Sequence, residues 1–354
     1  MSLPVKTRQW FYPKHDSYRD LTLEEVPLPS TLGSNEVLVK IHAVSLQFRD
    51  LLVSKPNYSR PLPPHLIPCS DMAGEVLSIG QDVKAWNPGD RVAANLLLDK
   101  VDDEERTAEI AACVLGGPLN GVLTQFRVFP AHSLVAIPGH LSYEEASTLP
   151  CAALTAYVSL SPIKAGDTIL VIGTGGVSIF ALQLATASGA SVILLSSSDA
   201  KLDFAKTLGA KPKHVINYKT TPKWDEEVQR LTKGVGVDLV VEVTGNTTLE
   251  RSIASVRMGG HIAIVGHLAS GPTVDLVLHA IRKSLTIRGI YVGSVKQFKA
   301  MNRLISANPE ATRPVIDKVF SFEEVHAAYA HLEGQRHVGK VVIRVSGGGV
   351  ILLL

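Results

Sequence analysis

Three glycines follow a short apolar run and precede a predicted helix. The run Thr168–Ile172 has the composition of a buried β-strand, and Gly173, Gly175 and Gly176 follow it closely. Glycines at such a point let the chain turn tightly and bring its backbone close to a ligand. The first amides of the following helix, at Gly176 and Val177, carry a partial positive charge. These residues therefore predict a binding site for a pyrophosphate group.

The glycine pattern is incomplete, because Ser178 stands where the third glycine of GxGxxG is usual. An ordinary strand-to-helix turn is therefore the alternative interpretation. However, a segment of helical length with apolar residues at helical spacing comes next, and Ala190–Leu195 then has the composition of a second buried strand. Strand, turn, helix and strand over roughly 30 residues make a right-handed βαβ unit, and this context favours a dinucleotide site.

The residues after the second strand predict which dinucleotide is bound. A site for NAD usually has Asp or Glu here, against the 2′-hydroxyl of the ribose. This chain has Ser196, Ser197 and Ser198, with Lys201 close behind. Small hydroxyls and a positive charge suit a 2′-phosphate, so we expect NADPH; the serines also suit the N-cap of the next helix. Tyr218, at the end of a short third predicted strand, is a candidate contact for the adenosine.

Length and composition are those of a soluble enzyme with two domains: 354 residues, of which 45% are hydrophobic. The net charge of +2, without a basic stripe, gives no reason to expect a nucleic acid or a membrane as partner. Three cysteines without CxxC spacing, Cys69, Cys113 and Cys151, argue against a disulfide framework. No apolar leader is apparent at the start, and we expect a cytoplasmic protein.

The chain has two textures. Short β-rich runs separated by Pro- and Gly-rich turns occupy residues 1–152 and return in residues 293–354, whereas strands alternate with helices in residues 153–292. The expected fold class is α/β, with an irregular β domain and a doubly wound parallel-sheet domain. Within the second domain we expect buried strands at residues 238–243, 261–266 and 285–290.

Seven motifs occur along the chain in a fixed order. They are Ser45–Leu52, Ile67–Val76, Pro88–Val92, Thr148–Tyr157, the glycine turn, Ser196–Lys201 and Gly339–Val342. In these motifs the chain resembles the medium-chain dehydrogenase/reductases, and within them the zinc-independent quinone oxidoreductase-like and enoyl reductase-like branch. The resemblance covers nearly the whole chain. It implies a GroES-like β domain, a Rossmann domain, a cofactor cleft between them and a homodimer built through the nucleotide domains.

The resemblance also bears on zinc, because the family includes zinc alcohol dehydrogenases. A catalytic zinc needs three protein ligands. The position of the first ligand, a cysteine in the zinc members, matches Gln47 here, and that of the histidine matches Ser70, followed by Asp71. Only Cys151 remains, and we interpret it as a packed thiol. The cysteine cluster of the structural zinc lobe is also missing, since Cys113 stands alone there, so we expect no bound zinc.

Loss of the metal favours a conjugated acceptor as substrate. Hydride added to an enone or a quinone gives an anion whose charge is delocalised, so hydrogen-bond donors suffice to stabilise it. Gln47 is a candidate donor, and the alternative is that its amide satisfies nearby backbone. Tyr58 is a candidate proton donor, and the alternative is a surface aromatic in a loop. Asp71 either orients its neighbours or caps a turn, and we favour that structural role.

Further candidates for the cofactor site are Phe48, Thr155, Gly266, His267, Tyr291 and Lys340. Gly266, His267 and Tyr291 lie at the ends of later predicted strands and fit a cleft at the carboxyl edge of the sheet. Thr155 matches a threonine on the nicotinamide side, and Lys340 matches a lysine that closes the cofactor groove. Two functional alternatives stay open, namely a zinc-free alcohol or aldehyde oxidoreductase, and a relative that binds the cofactor without catalysis.

Overall fold

Contacts between residues divide the chain into two units in the computed structural model, which describes residues 4–103, 107–266 and 271–346. The first unit contains residues 1–151, 293–303 and 316–354, and the second contains residues 152–292 and 304–315. From the two textures we expected boundaries after residues 152 and 292. The assignment of residues 304–315 to the second unit had no counterpart in the sequence analysis.

The first part of the chain is mostly β-structure. Its strands are β1 (Lys6–Phe11), β2 (Thr22–Pro27), β3 (Glu36–Ser45), β4 (Asp71–Ile79), β5 (Arg91–Ala94), β6 (Phe126–Pro130) and β7 (Leu134–Ala136). Its helices are α1 (Phe48–Val53), α2 (Ala108–Ala112) and α3 (Tyr143–Ala146), with 3₁₀ turns at Tyr18–Asp20 and Ala131–Ser133 and a π-helical turn at Leu149–Ala153. Ser142 caps α3 by accepting a hydrogen bond from the Glu145 amide, which fixes where this helix begins.

Strands and helices then alternate. The helices are α4 (Leu154–Ser159), α5 (Gly176–Ala187), α6 (Asp199–Thr207), α7 (Trp224–Leu231), α8 (Asn246–Ser255) and α9 (Leu276–Lys283). The strands are β8 (Thr168–Ile172), β9 (Ser191–Ser196), β10 (His214–Asn217), β11 (Val237–Glu242), β12 (Val256–Ile264) and β13 (Thr286–Gly289). The chain ends with α10 (Val295–Ala307), β14 (Ile316–Ser321), a 3₁₀ turn at Phe322–Glu324, α11 (Val325–Glu333) and β15 (Lys340–Arg344).

The second unit is built on a parallel sheet. Its described strands lie in the order β10-β9-β8-β11-β12-β13, which is the doubly wound order expected for a Rossmann domain. The strands β8, β9 and β11 each contain three or four consecutive buried apolar residues because both faces of the sheet are covered. Helix α5 packs against β8, β9 and α4, and the eight residues Ser178–Ala185 are all buried.

One strand differs from the sequence-based expectation. The run 285–290 was expected to be buried, but Thr286, Arg288 and Gly289 of β13 are exposed. The expectation was wrong because β13 is the edge of the sheet and pairs with β12 alone among the described strands. The neighbouring helix α9 has no buried residue.

The first unit is organised around β3. This strand lies between β15 and β4 in a largely antiparallel sheet of order β14-β15-β3-β4-β5-β7, and β6 also pairs with it. Nearly every residue of β3 from Val37 to Ser45 is buried or half-buried for this reason. The loop after β3 leads directly into α1, so the residues of that turn are anchored to the centre of the sheet. Among the described residues, no helix has the length and apolarity needed to cross a membrane.

Candidate functional site

The predicted glycine turn leads from strand β8 into helix α5. Gly173 follows β8 with a φ of +82°, a left-handed conformation that favours glycine, and its amide donates to the Leu195 carbonyl at 2.8 Å. Gly175 is the N-cap of α5, and Gly176 and Val177 begin the helix. Amides in the first turn of a helix lack carbonyl partners within the helix. The turn therefore offers backbone donors and a helix N-terminus, which suit a pyrophosphate.

Ser178, the residue that breaks the GxGxxG pattern, is buried in the first turn of α5. Its hydroxyl donates to the Ile172 carbonyl, the last of β8, at 2.7 Å. The third glycine of the pattern usually permits close packing between this helix and the strand. Here a short side chain fits the same space because its hydroxyl makes a hydrogen bond to the strand. The departure from the pattern is therefore compatible with the turn.

The serines after β9 take two different roles. Ser198 caps α6 and accepts from the Lys201 amide at 3.4 Å, as the alternative interpretation of these residues expected. Ser196 is buried at the end of β9, and its hydroxyl accepts from the Ser198 amide at 3.4 Å. Ser197 lies between them and is half-buried. The capping residue is thus Ser198, and Ser197 and Lys201 remain the predicted contacts of the 2′-phosphate.

The other predicted cofactor residues of the second unit lie mostly where strands end. Tyr218 follows β10 directly and is 39% exposed, Gly266 lies two residues after β12, and Tyr291 lies two residues after β13 and is 48% exposed. An added Cβ at Gly266 would collide with the Val243 carbonyl, so glycine is required there by packing alone. Thr155 is buried in α4. His267 lies outside the described residues.

The sequence analysis did not single out Glu242, a buried carboxylate at the end of β11. One of its oxygens accepts from the amides of Thr244 and Gly245 and from the Thr248 hydroxyl, at 2.8, 3.1 and 2.8 Å. The other accepts from the Ser252 hydroxyl at 2.5 Å. Glu242 thereby joins β11 to the first turns of α8. The available signal was an acidic residue directly after the apolar run Leu239–Val241.

The predicted residues Gln47 and Asp71 are in contact in the first unit. Gln47 is half-buried and precedes α1, and Asp71 is fully buried at the start of β4. The Gln47 side-chain Nε2 donates to Asp71 Oδ2, and the Gln47 backbone amide donates to Asp50 Oδ2 at 2.7 Å. An amide group has two N–H bonds, so one remains available to donate after Asp71 is satisfied. Asp71 thus holds the Gln47 side chain by a hydrogen bond, whereas the role that we favoured from the sequence was that of a turn cap.

Asp71 is the acceptor at the centre of this cluster. Besides Gln47, it accepts from the Ser70 hydroxyl at 2.6 Å and from the Cys151 amide at 3.1 Å. Burial raises the pKa of Asp71, while the Lys340 ammonium and the donated hydrogen bonds oppose that rise. Burial and the nearby Asp71 charge raise the pKa of the Cys151 thiol to about 12.

Two further charges belong to this cluster and were not predicted as site residues. Asp50 is buried, its Oδ1 has no hydrogen-bond partner, and burial raises its pKa to about 6 against the opposing charge of Arg49. Arg49 is half-buried and donates to the Leu115 carbonyl at 2.5 Å. Their signal in the sequence was weak because Arg-Asp pairs at helix starts are common on protein surfaces.

The remaining predicted residues of the first unit are Phe48, Tyr58 and Lys340. Phe48 and Tyr58 are partly buried and pack against the hydrophobic core of the unit. Lys340 is 4% exposed, and its Nζ donates to the Leu46 carbonyl. Lys340 lies within the polar cluster, and its predicted contact with the cofactor stays a prediction.

The donor set of this cluster does not fit zinc. Gln47 and Ser70, which the resemblance matches to zinc ligands of other members, both donate hydrogen bonds to Asp71. Neither an amide nor a neutral hydroxyl is a usual zinc ligand. Across residues 4–103, 107–266 and 271–346, no group of three or more His, Cys, Asp or Glu side chains is placed to hold a metal ion.

Comparison with known proteins gives the same two domains. Residues 33–139 match the alcohol dehydrogenase GroES-like domain, and residues 176–307 match the domain described as zinc-binding dehydrogenase. This confirms the expected fold class.

Individual relatives cover almost the whole chain. A zinc-type alcohol dehydrogenase-like protein of Schizosaccharomyces pombe is 42% identical over 94% of this chain and 99% of its own length. Acryloyl-coenzyme A reductase of Metallosphaera sedula is 30% identical over 88% of this chain and 92% of its own. The solved 2-octenoyl-CoA carboxylase reductase of a Streptomyces species, in complex with NADP and 2-octenoyl-CoA, is 25% identical, with a TM-score of 0.82 over 99% of this chain and 90% of that one. With both domains in place and relatives of this identity and coverage, the chain belongs to the medium-chain dehydrogenase/reductase family of oxidoreductases and is enoyl reductase-like.

Proposed function

We propose that this protein reduces an activated alkene, in an enone or enoyl compound, or a quinone, with NADPH as reductant and without zinc. The observation that carries the proposal is the Gln47 amide, which Asp71 holds in the cluster where zinc members of the family place their ligands. A fixed amide donor replaces a Lewis acid there. Such a donor suits an anion whose charge is already delocalised.

The reaction follows from that donor. NADPH, when bound, supplies a hydride. Hydride addition to the β-carbon of an enone moves the π electrons onto the carbonyl oxygen, where the free N–H of Gln47 stabilises the enolate. A proton added to the α-carbon then completes the saturated product, and we propose the Tyr58 phenol as its source. For a quinone, the same hydride gives a hydroquinone anion that takes up one proton.

The choice of NADPH rests on the residues after β9. Ser197 and Lys201 offer a hydroxyl and a positive charge, and no carboxylate stands at the end of this strand, where it would repel a 2′-phosphate. The relative solved with NADP and 2-octenoyl-CoA supports both the cofactor and the substrate class.

The test is oxidation of NADPH by purified, metal-analysed protein against enones, enoyl thioesters, quinones, aldehydes and ketones, with NADH in parallel. We expect turnover of the conjugated acceptors with NADPH by protein that contains no zinc. Gln47→Leu is expected to lower kcat/KM by about a hundredfold, because it removes a hydrogen-bond donor to the developing anion. Gln47→Asn, which keeps an amide, is the matched control and should lose less.

The outcomes separate the alternatives. Turnover of simple aldehydes and ketones alone would favour a zinc-free alcohol or aldehyde oxidoreductase. Saturable NADPH binding without turnover of any acceptor would favour a non-catalytic relative. Stoichiometric zinc, with activity lost on chelation, would contradict the zinc-free proposal.

We also propose that the protein is a homodimer joined through the second unit. Strand β13 leaves one edge of the described sheet unpaired, and α9 beside it exposes Val277 by 72% and Ile281 by 71%. An apolar helix face next to an open sheet edge is typical of an interface. Sedimentation is expected to give twice the 38.0 kDa mass of one chain.

A charge placed in that face tests the interface. Ile281→Asp is expected to shift the protein toward one chain per particle, because a buried unpaired carboxylate opposes association. Phe204→Asp, at a 43% exposed apolar residue of α6, is the control and should leave the mass unchanged. A single-chain mass for the unaltered protein would contradict the proposal.

A further inference from the structure

Lys340, the first residue of β15, has an unusual environment for a lysine. Its side chain is almost fully buried, at 4% exposure, and its ammonium donates to the Leu46 carbonyl. The Leu46 amide in turn donates to the Val341 carbonyl at 3.0 Å. Both polar backbone groups of Leu46 are therefore held by β15. Because Leu46 immediately precedes Gln47, β15 fixes the start of the turn that carries the proposed donor.

Gln47 itself is held by two carboxylates. Asp50 accepts from its backbone amide at 2.7 Å, and Asp71 accepts from its side-chain Nε2. A carboxylate accepts these hydrogen bonds fully only when it is ionised, since a protonated oxygen becomes a donor. The orientation of the Gln47 side chain thus depends on the charge of Asp71, which is itself fully buried.

The charged and titratable groups that act on Asp71 come from several elements. They are Lys340 on β15, Arg49 and Asp50 on α1, Cys69 before β4 and Cys151 in the π-helical turn. Burial is the largest influence and raises the pKa of Asp71, and the Lys340 ammonium is the largest opposing one. Reciprocally, burial lowers the pKa of Lys340, while Asp71, Cys151 and Asp50 oppose that change.

We propose that Lys340 is a positioning residue, which holds the Leu46–Gln47 turn so that the Gln47 amide presents its free N–H to the substrate carbonyl. The Lys340 charge also acts on Asp71, the carboxylate that accepts from the Gln47 side chain. The inference rests on the proposed function of Gln47. It differs from the cofactor contact that the family resemblance assigns to Lys340.

The test compares Lys340→Met with Lys340→Arg. Methionine keeps the length of the side chain and removes the charge, and we expect kcat to fall by about ten- to a hundredfold because the donor is misplaced. Without the ammonium the pKa of Asp71 rises, so the carboxyl keeps its proton to higher pH. The acid limb of the kcat/KM profile is therefore expected to move to higher pH in Lys340→Met and to stay near its original position in Lys340→Arg.

Binding of NADPH separates this role from a cofactor contact. Direct titration is expected to give the same Kd for Lys340→Met as for the unaltered protein, within about twofold. A Kd raised by tenfold or more, with an unmoved acid limb, would assign Lys340 to the cofactor instead. Equal losses of kcat and thermal stability in both variants, without a shift of the pH profile, would show a structural role only.

A second measurement does not need turnover. The protonation of Asp71 can be followed as the carboxyl infrared band that Asp71→Asn removes, and this band is expected to titrate at higher pH in Lys340→Met. An unchanged titration contradicts the inference even where no substrate has been identified. Absence of turnover by the unaltered protein contradicts only the proposed function.

Asp71→Asn provides a second test of the inference if Lys340→Met fails to fold. Because Lys340 acts through Asp71, we expect Asp71→Asn to lose the acid limb and to lower kcat by a factor similar to that expected for Lys340→Met. An Asp71→Asn protein with an unaltered acid limb and full kcat would overturn the inference.

Discussion

Replacement of Gly173 by valine is expected to weaken NADPH and NADH binding alike, by at least about tenfold, or about 1.4 kcal/mol. Gly173 has a φ of +82°, where an L-residue costs roughly 1–2 kcal/mol. An added Cβ would meet only Ser178 Oγ, at 3.6 Å, so the strain lies in the backbone. The turn is expected to relax away from this conformation and to move the amides of Gly176 and Val177. Fluorescence titration with each cofactor measures the effect.

The chain offers matched controls for this change. Gly234 has a φ of +81° and open space around an added Cβ, and it lies after α7, before the amino end of β11. Gly234→Val should therefore lose similar stability and keep its cofactor affinity. Unchanged cofactor affinity in Gly173→Val would show that the turn is not part of the binding site.

Lys201→Ala should weaken NADPH binding far more than NADH binding. Equal losses for both cofactors in Lys201→Ala would show that Lys201 does not recognise the 2′-phosphate.

Glu242→Leu is expected to destabilise the second unit by about 3–5 kcal/mol, because several buried donors lose their shared acceptor. The amides of Thr244 and Gly245 and the hydroxyl of Ser252 donate to this carboxylate, which is 0% exposed. A buried donor without a partner costs about 1–3 kcal/mol. Hydrogen exchange of β8 and β11 in urea measures the free energy of unfolding of this unit separately from the other.

Glutamine at the same position makes the prediction sharper. Its carbonyl oxygen can accept from Thr244, Gly245 and Thr248, and its NH₂ group can donate to the Ser252 hydroxyl, so Glu242→Gln should cost no more than about 1.5 kcal/mol. Glu226→Leu, which removes an exposed ion pair with Lys223, is the surface control and should stay within about 0.5 kcal/mol. If Glu242→Leu were as stable as Glu226→Leu, the network around Glu242 would contribute nothing.

The parts of the site that were predictable from the sequence are local in the chain. Gly173, Gly175 and Gly176 fall within one turn, and a buried strand and a helix flank them, so periodicity and glycine chemistry predict the structure. Tyr218 and Gly266 were placed at strand ends by the same reasoning, because carboxyl ends of parallel strands share one edge of a sheet. These predictions required no knowledge of distant contacts.

The parts that were not predictable depend on contacts between distant residues. Lys340 and Leu46 are 294 positions apart, and no spacing rule relates them. Similarly, the donors around Glu242 follow from how α8 begins after β11. The exposure of β13, in contrast, had a local signal, because Thr286 and Arg288 alternate with apolar residues, as in a strand with one face in solvent.

The position of β15 in the sheet has a consequence for synthesis on the ribosome. β15 is the last described strand of the chain, yet it pairs with β3, among the first. All strands of the parallel sheet are complete before β15 is made, so that sheet can close while β3 still has an open edge. A chain released from the ribosome before Lys340 is added would contain the glycine turn after β8. Its Leu46 would lack both of its hydrogen-bond partners on β15, the Lys340 ammonium and the Val341 carbonyl. The first unit therefore finishes folding only after β15 has been translated.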